Sequence, residues 1–307
     1  MNEIRAGEAL IVEHPLFAGA NIASKDAPVA EDSKQQDTDL KTFQLQDAEI
    51  GRLIGLTNQA LADEAHLKDR IAIVRGGERL TDQLAIAADS GWFQPMLNDL
   101  LRQGVSVVVN DIPIADASAA DIGKHANLPP SWISQQNLYI TPQESQGFDP
   151  HCDPHIVVVV HLYGRKEWTI FDKVLENPVY DADTNTIAGK SEQIGVREQI
   201  VVEPGDCFVI PRGRYHSAVA LSPASVHLAI GTAGVRAVDY LWTMSQQAIG
   251  DATMRADMTP EEALQKARDF MAAYAFEPIA LPRFKRAVEA ADPAASSFSF
   301  EGVLDAL

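Results

Sequence analysis

Apolar positions along the chain follow two periods, and the change between them divides it. Leu45, Ala48, Leu53, Leu56 and Ala60 fall near helical spacing, as expected of a helix that buries one face. A second helix is predicted from Trp92 to Arg102, with Phe93, Met96, Leu97, Leu100 and Leu101 as its apolar residues and Gly104 as its stop. The stretch Gly104–Val109 then reads as a strand, because it is rich in β-branched side chains. The middle third is a succession of short strands, expected at Gln136–Thr141, Ile156–Tyr163, Glu167–Phe171, Gln199–Val202, Asp206–Ile210 and Val226–Thr232. Turn residues separate them, at Thr141-Pro142, Tyr163-Gly164, Pro204-Gly205-Asp206 and Pro211-Arg212-Gly213. Many short strands joined by such turns predict a sandwich, a barrel or a jelly roll.

After Val235 the helical period returns. Thr259-Pro260-Glu261-Glu262 combines a capping box with proline at the first helical position and opens a helix reaching about Tyr274; residues 283–291 form another short one. Two polar stretches, 21–42 and 172–198, read as long loops and as the candidate substrate-contacting segments. Three regions follow: an N-terminal helical and loop region over 1–84, a β core over 85–235 and a C-terminal helical region over 236–307.

The balance of 25 Lys+Arg against 43 Asp+Glu, net −18, argues against nucleic acid as a partner, because phosphate backbones require basic faces. A small molecule or a peptide suits it better, an Arg- or Lys-rich peptide among the candidates. Hydrophobic residues at 46% and charged residues at 22% exclude wholesale disorder. No apolar run approaches the roughly 18 residues of a membrane span, so no membrane role is expected. The N-terminus lacks a basic-then-apolar signal, and Cys152 and Cys207 fit a reducing compartment, so a cytoplasmic location is expected. Leu241, Trp242, Leu264, Phe270 and Met271 give the C-terminal helices apolar faces, from which a homodimer is expected.

Three features of the β core carry chemistry. His151-Cys152-Asp153 follows the turn Gly147-Phe148-Asp149-Pro150. In an extended segment alternate side chains face one way, so an imidazole and a carboxylate can converge on one point. His216 lies just beyond Ile210-Pro211-Arg212-Gly213, where a neighbouring strand can bring it opposite that pair. Two histidines and one aspartate are the facial triad of non-haem Fe(II) oxygenases, which leaves coordination positions open. Lys166, after the Gly164 turn, is placed to answer an anionic ligand. A lone His-x-Asp is weak. With Pro204-Gly205-Asp206, Ile210-Pro211-Arg212-Gly213 and His216 at jelly-roll spacing it is much stronger.

The runs Asn137-Leu-Tyr139-Ile-Thr141-Pro142, Ser145-Gln-Gly-Phe-Asp-Pro-His151-Cys-Asp153 and His161-Leu-Tyr-Gly164-Arg-Lys166-Glu-Trp168 closely resemble the JmjC-type cupin oxygenases, most of all their ribosomal-oxygenase-like branch. Val226-His227-Leu228-Ala229-Ile230-Gly231-Thr232 is similar to the second half of that pattern, and the resemblance covers roughly residues 85–235. It implies a double-stranded β-helix flanked by helices, with Fe(II) held by His151, Asp153 and His216, and 2-oxoglutarate and O₂ as co-substrates. It also implies Lys166 as the counter-ion of the distal 2-oxoglutarate carboxylate, Asn137 and Thr232 as residues lining the co-substrate pocket, and Tyr139 near the metal. The implied reaction is hydroxylation of an aliphatic C–H on an amino-acid side chain, in a peptide or free, or on a natural-product precursor. Demethylation of N-methyl-lysine is a variant of the same chemistry.

Where the family often has glutamine this chain has His161, and Cys152 and His155 flank the metal motif. The rival readings are a metal-dependent cupin isomerase or dioxygenase without 2-oxoglutarate, and a non-catalytic cupin that binds a carboxylate. Read blandly, His227, Trp168 and Phe171 are core residues, and Cys152 is a packing residue pointing away from the ligands.

Overall fold

In the computed structural model, residues 40–62, 67, 70–80, 91–112, 116–128, 133–178, 194–234 and 236–275 are described. Loop 21–39, most of the expected insertion (179–193) and the expected helix 283–291 lie outside them. The strands are β1 Lys41–Gln44, β2 Ile71–Arg75, β3 Glu78–Arg79, β4 Ser106–Val109, β5 Ile133–Pro142, β6 Ile156–Tyr163, β7 Lys166–Val174, β8 Val196–Val202, β9 Asp206–Ile210, β10 Arg214–Ala220 and β11 Ala224–Ala233. The helices are α1 Asp47–Ala62, α2 Phe93–Arg102, α3 Asp116–His125, α4 Ala237–Gly250 and α5 Pro260–Ala273.

Two antiparallel sheets form the core, one ordered β1-β9-β6-β11-β5-β4-β2-β3 and the other β10-β7-β8. This is the jelly-roll (double-stranded β-helix) architecture that the short strands predict. The alternation of side chains divides the interior into two layers. Val158, Val160 and Leu162 of β6, Leu138 and Ile140 of β5, and Val226, Leu228 and Ile230 of β11 pack with Leu53 and Leu61 of α1 and Phe93, Leu97 and Leu101 of α2. The opposite residues, Val157 and Val159, turn toward Trp168, Val202, Phe208 and Ile210 between the sheets. A strand buried on both faces reads as one apolar run, which is why β6 begins and ends where the sequence predicts.

Three elements differ from expectation. The region before residue 85 contributes strands as well as a helix: β1 pairs with β9, and β2 pairs with β4. Ile71-Ala-Ile-Val74 is a short, fully buried run, too brief for a periodic signal. Strand β10, which carries His216, is also new. Arg214, His216 and Ser217 interrupt its apolar pattern, because the polar side chains serve the interior of the roll. Helix α3 is short and built from small and polar residues, so no apolar stripe announces it. By contrast α5 is capped as predicted, with the Thr259 hydroxyl accepting from the Glu262 N–H and the Glu262 carboxylate from the Thr259 N–H. Among the described residues no helix is long and apolar enough to cross a membrane.

Candidate metal and carboxylate site

A cavity opens between the sheets. The large sheet contributes Ser106, Asn137, Tyr139, Thr141, Val157, His227, Ala229 and Gly231; the small sheet contributes Lys166, Trp168 and His216. The segment 147–155 closes one side with Phe148, His151, Asp153 and His155.

One ligand atom each from His151, Asp153 and His216 lies within 4.8 Å of the other two. Backbone pairing sets this convergence, for the His151 N–H donates to the His216 carbonyl at 3.1 Å and the His216 N–H to the His151 carbonyl at 2.8 Å. The imidazole rings stand 4.5 Å apart, and His216 Nε2 is 3.5 Å from the Asp153 carboxylate. Each histidine uses its other nitrogen on a main-chain carbonyl: His151 Nδ1 on Asp149 at 2.8 Å, His216 Nδ1 on Arg214 at 3.0 Å. A carbonyl only accepts, so Nδ1 carries the hydrogen in both rings and both Nε2 lone pairs are left for a cation. Burial would raise the Asp153 carboxyl, but the histidines around it, His151 first, hold it below its ordinary value. Burial and then His151 bring His216 down to about 4, so it is neutral and able to ligate near pH 7. Behind the ligands Cys152 turns away from the cavity and packs with Phe171 and Tyr215.

Lys166 lies at the other end of the cavity, only 3% exposed. Its Nζ donates to Thr141 Oγ1 at 3.0 Å and sits 5.9 Å from the Trp168 ring centre. No carboxylate pairs with it among the described residues, and burial brings it down to about 7. Between Lys166 and the triad lie Trp168 and His227, with rings 5.1 Å apart and near perpendicular. His227 stacks on Tyr139 at 4.8 Å and is held well below its ordinary value by burial and by Lys166. Asn137 reaches the cavity with its Oδ1 accepting from the Asp111 N–H at 3.1 Å. Against Gly231 lies the His155 ring; a Cβ added there would come within 2.5 Å of its Nε2.

The structure therefore gathers His151, Asp153, His216, Lys166, Asn137 and Tyr139 around one cavity. Thr232 is not among the lining residues; on β11 the odd-numbered His227, Ala229 and Gly231 face the cavity, and the Thr232 hydroxyl is buried without a hydrogen-bond partner among the described residues. Thr141 reaches the cavity without having been singled out as a site residue, and His227 and Trp168, read from sequence as core residues, are buried and also line the cavity. Strand parity is the signal for Thr141, which shares a face with Asn137 and Tyr139. His161 is buried beside the cavity rather than in it, with Nε2 on the Gly164 carbonyl at 2.9 Å.

Residues 123–240 match the family model for the JmjC domain. The matched segment, under half of the chain, spans β5 to β11 and every residue of the triad. Among curated proteins, ribosomal oxygenase 1 of Danio rerio is 34% identical over 97 residues, 31% of this chain and 18% of that protein. The bifunctional lysine-specific demethylase and histidyl-hydroxylase NO66 of Drosophila grimshawi is 38% identical over 86 residues, 27% of this chain and 12% of that protein. The matched stretches thus span less than a fifth of these relatives' length. The solved structure of YcfD, a ribosomal oxygenase from Escherichia coli, covers 76% of this chain and 62% of its own at 13% identity, with a TM-score of 0.41.

Proposed function

We propose that this protein is an Fe(II)- and 2-oxoglutarate-dependent hydroxylase acting on an aliphatic C–H of an amino-acid side chain. The observation that carries the reading is the pairing, in one cavity, of a His-Asp-His cluster with a buried lysine that has no carboxylate partner among the described residues. The donor set fits the cofactor: two imidazoles and one carboxylate are a facial triad for non-haem iron. Lys166 fits the co-substrate, because a buried cation needs an anion and the cavity provides room for one. A cupin isomerase would leave Lys166 without a duty.

His151, Asp153 and His216 would hold the metal through two Nε2 atoms and a carboxylate oxygen. Lys166 and Thr141 would hold the far carboxylate of 2-oxoglutarate, and the walls of Trp168, His227 and Tyr139 would fix the chain between the two ends. The chemistry supplied by the bound pair is O₂-dependent hydroxylation of a C–H bond, with 2-oxoglutarate leaving as succinate and CO₂. The protein's part is orientation and exclusion of water. Ribosomal oxygenase and histidyl-hydroxylase activities in the relatives' names favour a side chain in a protein or peptide over a free amino acid. Among the described residues Asp153 is the only carboxylate lining the cavity, and it would be committed to the metal. Recognition of an Arg- or Lys-rich partner would therefore come from the acidic surface, not from within. Two free, buried cysteines suit a reducing cytoplasm. We also propose that the chain pairs with a second copy through α4.

The test is anaerobic titration of Fe(II)-loaded protein with 2-oxoglutarate, followed by the visible metal-to-ligand absorption of the chelate. A saturable band that disappears in His151→Ala, together with succinate release in air, is the expected result. Bound iron with no band removes 2-oxoglutarate from the mechanism.

A further inference from the structure

Strand β2 and the short β3 form a hairpin at one edge of the large sheet, turning through Gly76 and Gly77. The hairpin precedes the matched segment 123–240 and carries none of the triad, yet it meets the metal-binding segment at two places. Ala72 and Val74 of β2 are buried with Val108, and Phe148 and Tyr139 pack against them. At the turn the Asp149 carboxylate lies on Gly77, so closely that a Cβ added there would come within 2.8 Å of Oδ2 and 2.9 Å of Cγ. Gly76 is left-handed too, at φ +56° against +86° for Gly77, but a Cβ on it would meet nothing within 4 Å. Backbone conformation alone asks for glycine at both positions; only at Gly77 does a neighbour ask for it as well.

Asp149 and Phe148 hold the main chain just before the first ligand. The Asp149 carbonyl accepts from His151 Nδ1 at 2.8 Å, the bond that keeps the hydrogen on Nδ1 and leaves Nε2 for a cation. Phe148 stands edge-on to the His151 ring, with centres 5.7 Å apart, and its carbonyl accepts from Gln146 Nε2 at 3.0 Å. Residues 147–150 belong to no ladder among the described residues. Strand pairing therefore fixes the main chain of His151 but not the carbonyl that orients its ring; side-chain packing does that. We propose that the β2–β3 hairpin is part of the metal site: Gly77 seats the Asp149 side chain, β2 seats Phe148, and together they hold the Asp149 carbonyl against His151. Gly77 and Asp149 are positioning residues, acting on the metal through that ring. This rests on the reading of the triad as a metal site and extends the site to a hairpin outside the matched segment.

The probe is Co(II), titrated into wild type, Gly76→Ala, Gly77→Ala, Asp149→Ala and the double variant Gly77→Ala/Asp149→Ala. Loss of the outer partner of a metal-bound histidine costs about 10–100-fold in metal affinity. Gly77→Ala and Asp149→Ala are each expected to weaken Co(II) about tenfold. Gly76→Ala, which strains the same turn without touching Asp149, is expected to bind as wild type does. In the double variant the clash is gone, so its loss is expected to stay near tenfold, where independent effects would multiply to about a hundredfold. Proton NMR of the Co(II) protein gives the second readout, because an imidazole N–H on a bound histidine is shifted far from other resonances by the paramagnetic ion. Two such signals are expected in wild type, from His151 and His216; Gly77→Ala is expected to move or lose one and leave the other, where a merely loosened fold would disturb both. Equal Co(II) affinity in Gly76→Ala and Gly77→Ala overturns the role of the hairpin and leaves the metal site standing. Asp149→Ala decides alone where Gly77→Ala does not fold, and wild-type affinity in it overturns the proposal. Wild type that binds no Co(II) overturns both readings.

Discussion

Lys166 shows how one residue links fold and ligand. Burial holds the amine near 7 instead of its ordinary 10.5, so the ligand-free fold favours the neutral form. The unfolded chain binds the extra proton between those values. The ligand-free protein therefore gains stability as pH rises from about 7 to about 10.5, and below 7 the cost of the buried charge is fully present. Lys166→Met removes that cost, and its ligand-free form is expected to be more stable than wild type by about 1–4 kcal/mol at pH 6, with the gap narrowing steadily as pH rises from about 7 toward about 10.5 in thermal melts. Binding runs the other way, since an anion needs the ammonium. Affinity for 2-oxoglutarate is expected to be highest below pH 7 and to fall as pH rises, by up to about tenfold per unit, while Lys166→Met binds weakly at every pH. A flat profile in wild type would mean that Lys166 is not the counter-ion.

At the scale of elements, the turn before β10 joins stability to the metal site. Gly213 has φ +78°, and a Cβ there would run into the Leu175 carbonyl oxygen. Its N–H donates to the Asp153 carbonyl at 3.0 Å and its carbonyl accepts from the Leu175 N–H at 2.9 Å. Gly213→Ala must displace one of these partners and strain the left-handed backbone as well. A loss of about 3 kcal/mol in denaturant unfolding is expected, accompanied by weaker Co(II) or Fe(II) binding as Asp153 shifts. Unchanged metal affinity in a destabilised variant would separate the turn from the site. This turn was legible in the sequence as Pro211-Arg212-Gly213, as was β6, whose two buried faces make one apolar run. Strand β10 was not, because a strand that feeds a polar cavity from one face loses the hydrophobic alternation by which strands are found. The triad was legible from residue types and spacing. Thr141, Ser106 and His227 were not, since serine, threonine and histidine gain meaning there only from the cross-strand neighbours that the register supplies.

For the whole molecule, α4 and α5 stand out because neither helix has a buried residue. Val238, Leu241, Trp242 and Ile249 on α4, with Leu264 and Met271 on α5, are each at least 50% exposed. Apolar side chains so grouped mark an interaction surface. Charge bears on the partner. In a chain of net −18, two copies repel across most of their surface, but α4 has a single charged residue, Asp239, already paired with Arg236 at 2.9 Å. In the pairing proposed above, its exposed face is where two such acidic molecules would meet with least repulsion, and a second copy would bring the same apolar surface. Sedimentation at micromolar concentration is expected to show a dimer. Trp242→Glu, which puts a charge at the most exposed of these positions, is expected to give a monomer that keeps the wild-type 2-oxoglutarate chelate band. A wild-type monomer would rule out pairing through α4. A dimer that survives Trp242→Glu would place the interface elsewhere.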